Sequence, residues 1–477
     1  MKESLKQQTF KGIGWSAIER FSVQSVSFIV QLFLARLLTP DDFGIIGMLA
    51  IFIQISQVFI DSGFANALIQ KQDCQEKDFS TVFYYNLIVS VVIYIFLYIA
   101  SPLIADFYST ESIILVLRVL SLVLIVNALS IVQRTILVKN VDFKSQSKVT
   151  FISSLISGFL GISFALSGYG VWALVIQQLS NSIIQLVMYI IIVKWFPHFI
   201  ISKESFKFVY NFGSKLLLAS IINTLYKNLY SIVIGKNFNA YDLGLYTRSD
   251  TFAMFPSSNL ATIITRATYP IMSKLQDDNI KLINCYKKLI QYSSFLIFPM
   301  MCGLIAVSKP FILVFLTDKW IKAVPLLQIL SISWMFDHLC SINLNLLYVK
   351  GKTSLVLKLE VVKKTIAMII LFGTIAFGLK GMCWGLVLYS VIAVFINTFY
   401  TKKIFNYGWK QQFKDYIPFL LASIIMMCCV YITINVISSN IIQLVIGVIE
   451  GIVLYAVISL LFFVDQLIEI KSLIIKK

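Results

Sequence analysis

Ala35-Arg36-Leu37-Leu38-Thr39-Pro40-Asp41-Asp42-Phe43-Gly44-Ile45 is echoed 200 residues later by Gly235-Lys236-Asn237-Phe238-Asn239-Ala240-Tyr241-Asp242-Leu243-Gly244-Leu245. Both stretches begin with a small and a basic residue. At identical spacing both then read Asp, an aromatic or aliphatic residue, Gly and an aliphatic residue. Each closes one apolar run and opens the next. Asp near a new helix N-terminus suits the positive end of the dipole, and Gly permits a tight turn. Weaker echoes follow in the same order: Leu137-Val138-Lys139-Asn140 with Tyr348-Val349-Lys350-Gly351, and Gly170-Val171-Trp172 with Gly381-Met382-Cys383-Trp384. The chain therefore contains one unit twice.

Outward from these echoes the chain is a series of apolar runs. A helix crosses a ~30 Å hydrocarbon core with about 20 residues. Roughly fourteen stretches qualify: 12–38, 43–69, 80–104, 112–134, 149–168, 171–193, 208–235, 250–273, 286–308, 323–349, 355–378, 382–401, 415–437 and 441–464. The runs are continuous rather than alternating, which excludes a β-barrel. The expected fold is an all-α polytopic membrane protein. It has two parallel six-helix repeats, over 1–207 and 208–404, and two further helices with a tail over 405–477. Six is even, so both copies enter the membrane from the same side, and the halves are related by an axis along the membrane normal.

Composition agrees. With 58% hydrophobic and 13% charged residues, the chain falls outside the range of water-soluble domains, which carry about 25% charged residues. The net charge of +17 does not indicate nucleic acid, because the lysines sit in short connectors between apolar runs. With the N-terminus inside, 28 Lys and Arg fall on cytoplasmic segments, seven on outer ones and five within spans. That bias places both termini in the cytoplasm and the connectors' lysines against anionic headgroups. The first run contains Glu19-Arg20 and no small-residue cleavage pattern, so it is expected to stay as the first span. Seven cysteines form no CxxC pair, and His198 and His338 lack ligand spacing. No metal site or cofactor is expected.

Polar residues recur inside the spans at helical spacing: Arg20, Gln24, Ser27 and Gln31; Gln54, Gln57 and Asp61; Gln178, Asn181 and Gln185; Ser220, Asn223, Lys227 and Ser231; Asn259, Thr262, Arg266, Tyr269 and Ser273. Two readings stand. The amides and hydroxyls can be glue between packed helices, or they can line a water-filled cavity. Lys227 and Arg266 have no obvious acidic partner in the second half, whereas Arg20 can pair with Asp61. Surplus cations in a cavity would attract a phosphate or diphosphate. The expected cavity residues are Arg20, Gln24, Gln31, Gln57, Asn223, Lys227, Asn259 and Arg266. Asp61, Asp337 and Glu19 are the candidates for H⁺ or Na⁺ coupling, against the plain alternative of hydrogen-bonded structural carboxylates. Glu360, among Lys358, Lys363 and Lys364, reads as a surface ion-pair cluster. Glu450 has no partner legible in the sequence.

Three stretches near the N-terminus carry a resemblance: Lys11-Gly12-Ile13-Gly14-Trp15-Ser16; Leu34 through Gly44; and Asp61-Ser62-Gly63-Phe64 with Ala67-Leu68-Ile69-Gln70. They resemble the polysaccharide-export flippases, the Wzx-like branch of the multidrug/oligosaccharidyl-lipid/polysaccharide (MOP) exporter superfamily, near its colanic-acid and teichuronic-acid exporters. The resemblance implies twelve core helices in two lobes around a central cavity, with two helices after them. It implies a polyprenyl-diphosphate-linked oligosaccharide (an O-antigen, capsule or exopolysaccharide repeat unit) flipped across the bacterial cytoplasmic membrane by alternating access. The implied partners are that lipid-linked glycan, membrane lipids, a glycan polymerase and other assembly proteins. Arg20, Lys227 and Arg266 are the positions matched to the family's basic cavity residues.

The alternatives are a peptidoglycan lipid-precursor flippase, which would use a similar cationic cavity, and a small-molecule antiporter of the multidrug-extrusion (MATE) type. The antiporter is disfavoured by the basic charges, since cationic drugs need carboxylates or aromatic rings. A membrane enzyme such as a polymerase or ligase is disfavoured because no connector is long enough for an extramembrane active site.

Overall fold

The computed structural model describes residues 24–61 and 63–464. Among these the chain is helical, without strands. In order the helices are α1 (Gln24–Leu37), α2 (Pro40–Asp61), α3 (Phe64–Gln70), α4 (Glu76–Tyr108), α5 (Ile113–Leu120), α6 (Leu122–Lys139), α7 (Phe143–Leu166), α8 (Val171–Val193), α9 (Lys203–Asn237), α10 (Ala240–Lys274), α11 (Asn279–Phe315), α12 (Ala323–Trp334), α13 (Asp337–Val349), α14 (Thr353–Thr374), α15 (Gly378–Phe405), α16 (Trp409–Val436) and α17 (Asn440–Phe462).

Eleven runs among the described residues are long and apolar enough to cross a membrane, against roughly fourteen read from the sequence. The difference has physical causes. Only 14 residues of α1 are described. α10 is not apolar enough to count, because Ser, Thr, Asn and Pro interrupt its apolar residues. Thr353–Phe405 counts as one run, although Gly378, at φ +72°, separates α14 from α15. Span boundaries move too: α10 begins at Ala240, ten residues before the expected start.

The chain forms two compact units, Met1–Gly244 and Leu245–Lys477. In the first, both copies of the opening motif are helix starts in the same register. Thr39 caps α2: its backbone N–H and hydroxyl donate to the Asp42 carboxylate at 2.9 and 2.7 Å. Pro40 takes the first helical position, where a missing N–H costs nothing. Asn239 caps α10, accepting from the Asp242 N–H at 2.8 Å. The two starts meet at their glycines. A β-carbon on Gly44 would lie 1.7 Å from the Ala240 carbonyl oxygen, and one on Gly244 would lie 1.8 Å from that of Pro40. Backbone touches backbone there, a contact only glycine permits.

The second echo is a clasp built once in each unit. Lys139, at the end of α6, donates to the carbonyls of Leu68 and Lys71. Its counterpart Lys350, just after α13, donates to the carbonyl of Gln276. In each unit the fourth span of the repeat ends in a lysine. That lysine satisfies orphan carbonyls at the end of the second span. Lysines that read as topology signals are thus also helix caps. The fourth spans share another feature: each is interrupted, at Ser121 in the first unit and at Met335–Phe336 in the second.

In the first unit α2 packs on α9, and Asn228 donates to Gln54 across that contact at 3.0 Å. Replacing Asn228 by Leu is expected to lower stability by about 0.6 kcal/mol, the average for an interhelical bond in a membrane protein. Thermal unfolding of the purified variant checks it. In the second unit α16 lies along α11, and a buried network joins four helices. Tyr286 on α11 donates to Asn343 Oδ1 on α13 at 2.7 Å. Thr401 on α15 donates to the same oxygen at 3.0 Å, and Gln412 on α16 exchanges bonds with the Asn343 amide. α17 is tied on by Tyr455, which donates to the Phe295 carbonyl at 3.0 Å. Glu450 also finds its partner here: Thr433 of α16 donates to it at 2.9 Å.

Candidate functional site

α9 is apolar from Leu216 to Asn237, and Lys227 stands near the middle of that stretch. Its side chain is exposed and makes no hydrogen bond or ion pair among the described residues. Asn223, one turn earlier on the same face, is also exposed. Asn228, next in sequence, points the other way and is buried against α2. α9 therefore has one packed polar face and one open polar face.

The remaining expected cavity residues divide. Gln24 and Gln31 lie half-buried on α1. Gln57 is engaged: its Oε1 accepts from Asn127 of α6 at 3.0 Å, the glue arrangement. Asn259 donates to the Phe255 carbonyl of its own helix at 2.8 Å. Arg266 falls within α10, but its side chain lies outside those described, and Glu19 and Arg20 lie outside the described residues altogether. Arg118, a cation given lower weight as a snorkelling residue, sits over the Tyr98 ring at 4.1 Å and donates to Ser101 at 2.9 Å.

The two described coupling candidates differ in setting. Asp61 ends α2, directed toward Arg134 of α6 and the Ala65 amide. Asp337 occupies the first turn of α13, beside the break at Met335–Phe336, in electrostatic reach of Lys363 on α14. The ion pair expected around Glu360 is present, but Lys363 itself is not at the surface. It is only 5% exposed, whereas its ion-pair partner Glu360 keeps its side chain 37% exposed. Outside the spans, hydrogen bonds from Lys281 hold the exposed Asp278 carboxyl below its usual range as it caps α11.

With that arrangement in view, comparison with known proteins is decisive. The polysaccharide biosynthesis protein family matches residues 33–325, more than half of the sequence. The chain belongs to this family. Similar relatives span nearly the whole length. The teichuronic acid biosynthesis protein TuaB of Bacillus subtilis is 26% identical over 88% of both chains. The lipopolysaccharide biosynthesis protein WzxC of Escherichia coli is 25% identical over 88% of this chain and 86% of its own. Among solved structures the lipid II flippase MurJ, in an inward closed conformation, superposes with a TM-score of 0.77. It covers 95% of this chain and 99% of its own at 18% identity, which establishes a shared fold. The resemblance read from the N-terminal motifs to the Wzx-like exporters thus extends over most of the chain.

Sequence reading of this family member missed one carboxylate. Asp250 on α10 accepts from the Trp334 indole N–H at 2.7 Å. Ser257 donates to the Trp334 carbonyl at 2.7 Å, so Asp250 and Ser257 fasten α10 to α12. No local pattern signals this, because the partner lies 84 residues away.

Proposed function

We propose that the protein is a flippase that moves a polyprenyl-diphosphate-linked oligosaccharide across the bacterial cytoplasmic membrane by alternating access, with both termini in the cytoplasm. Lys227 carries the reading. A cation in mid-span without a carboxylate partner is too costly to face acyl chains, so it belongs in a water-filled space. There it offers an anion-binding group of the kind a diphosphate requires. Asn223 adds an amide beside it, and Gln24 and Gln31 of the same unit are proposed to share the lining. The Lys and Arg bias between connectors supports the sidedness. Relatives named for teichuronic acid and lipopolysaccharide biosynthesis support a surface-glycan substrate over a cationic drug. Short connectors and transporter-like relatives support transport rather than catalysis.

The direct test is purified protein in proteoliposomes with a fluorescent polyprenyl-diphosphate glycan in one leaflet. Protein-dependent loss of protection from a membrane-impermeant reductant is expected. Equal protection with and without protein would reject the reading. Transport of lipid II but not of the glycan-linked lipid would favour the peptidoglycan alternative instead.

A further inference from the structure

The second and third echoes share one offset, 211 residues. That offset makes α14 and α15 the counterparts of α7 and α8, and Tyr400 the counterpart of Tyr189. The two helix pairs differ where α14 begins and α15 ends. In the first unit Tyr189 is 1% exposed, in a cluster with Leu137 of α6 and Val149 of α7. Ser147 of α7 is buried and donates to the Phe143 carbonyl of its own helix at 2.7 Å. In the second unit the place of Ser147 is taken by Lys358, which is exposed, and Tyr400 is only half-buried. A groove of about 390 Å³ opens there between α14 and α15, a volume in the range of ligand pockets.

The groove is graded. Lys358 and Tyr400 line its shallow end, each five residues from the end of its helix, or about 8 Å along it at 1.5 Å per residue. Val362 and Phe395 line its deep end, about 15 Å along by the same measure. Around it the charge has one sign. α15 carries no carboxylate, and the one carboxylate of α14, Glu360, is paired with Lys363. Lys358 makes no hydrogen bond or ion pair among the described residues. The exposed Lys403 makes none either, and it follows Phe399 of the groove wall by one turn on the same face of α15. Trp409, 43% exposed at the start of α16, stands edge-on to Phe395 with ring centroids 5.5 Å apart. An exposed indole of this kind marks headgroup level, and lysines at that level attract anionic lipid. A zwitterionic headgroup would instead bring its own cation against Lys358. The slot is short, which suits the upper part of one acyl chain; a polyprenyl chain would leave nearly all its length outside.

We propose that the groove between α14 and α15 binds one anionic phospholipid, with its phosphate on Lys358 and Lys403 and one acyl chain between Val362 and Phe395. On the sidedness proposed above, that lipid comes from the cytoplasmic leaflet. It fills in the second unit the place that Tyr189 fills in the first.

Native mass spectrometry of the full-length protein in detergent, with equal amounts of dioleoyl phosphatidylglycerol and dioleoyl phosphatidylcholine, tests this. The wild type is expected to retain one phosphatidylglycerol in preference to phosphatidylcholine. Lys358→Gln should weaken that binding about fivefold, the effect of one lysine at a membrane surface, and Lys358→Arg should keep it. Val362→Trp fills the groove and should abolish the preference. Lys380→Gln, at the other end of the same helix pair, should leave it unchanged. Lys358 and Val362 are exposed, so these variants are expected to fold, and thermal unfolding in the same detergent checks it. Equal retention of the two lipids by the wild type, or equal losses in Lys358→Gln and Lys380→Gln, would overturn the proposal. So would displacement of phosphatidylglycerol by an equal concentration of a polyprenyl phosphate, which would give the groove to the substrate's tail. A lipid-free dimer broken by Val362→Trp would give it to a second copy of the chain. The measurement involves no flipping, so its failure leaves the transport reading untouched, and a failed flippase assay leaves the lipid site standing.

Discussion

Replacing Lys227 by Met is expected to reduce glycan flipping by about 10- to 150-fold, the equivalent of losing one charged hydrogen bond of about 1.5–3 kcal/mol. Lys227→Arg should keep most of the activity, since it keeps the charge and adds a bidentate donor. Lys227→Glu should be worse than Met, because it sets a carboxylate against the diphosphate. The decisive feature is that stability should move the other way. Among the described residues Lys227 makes no hydrogen bond or ion pair that would hold the fold together. Methionine removes an unpaired charge from mid-span, where the penalty for a lysine is about 2.5–3.5 kcal/mol on insertion scales. The Met variant should therefore insert normally and unfold at the same or a higher temperature than the wild type. A lysine with a structural role would behave oppositely, losing thermal stability together with activity. Flipping assays and thermal unfolding on the same preparations separate the two. Arg266→Gln serves as the parallel test in the second repeat.

How much was legible in the sequence depended on range. The repeat was readable because its signals are local: a cap, a proline or alanine, an aspartate and a glycine within a few residues of one another. Lys227 was readable because a lone cation in an apolar run needs no partner to be noticed. The bond of Gln57 to Asn127 was not legible because that partner lies 70 residues away, and periodicity cannot distinguish a polar face that packs from one that stays open. Lys363 looked like a surface residue because lysine-rich neighbours suggested the end of a span. Its burial is fixed by α13 and α15 closing over α14, which no local pattern reports. The break at Met335–Phe336 carries neither Gly nor Pro, so the run from Ala323 to Val349 read as one helix with Asp337 in its interior. The backbone instead places that carboxylate in the first turn of α13, where the positive end of a helix favours it.

The reciprocal glycines predict a second large effect. Gly44→Ala would place its β-carbon 1.7 Å from the Ala240 carbonyl oxygen, far inside contact distance, so the starts of α2 and α10 must separate. The expected loss is at least about 1–3 kcal/mol, the range for overpacking a tight contact, and Gly44→Leu should lose more. Gly244→Ala meets the Pro40 carbonyl at 1.8 Å and should cost a similar amount. Because both substitutions open the same crossing, the double variant should be only slightly worse than either single one. Its coupling energy should fall within the 0.5–3 kcal/mol typical of residues that share a contact. Independent sites would instead add. Gly235→Ala serves as a comparison on α9: its β-carbon would meet side-chain atoms at 3.0 Å or beyond, Tyr108 nearest. Those can shift, so its loss should be small. Thermal unfolding of the five variants decides whether the twin motifs are one clamp or two unrelated turns. A fully additive double variant would mean that the echo in sequence is not an echo in mechanics.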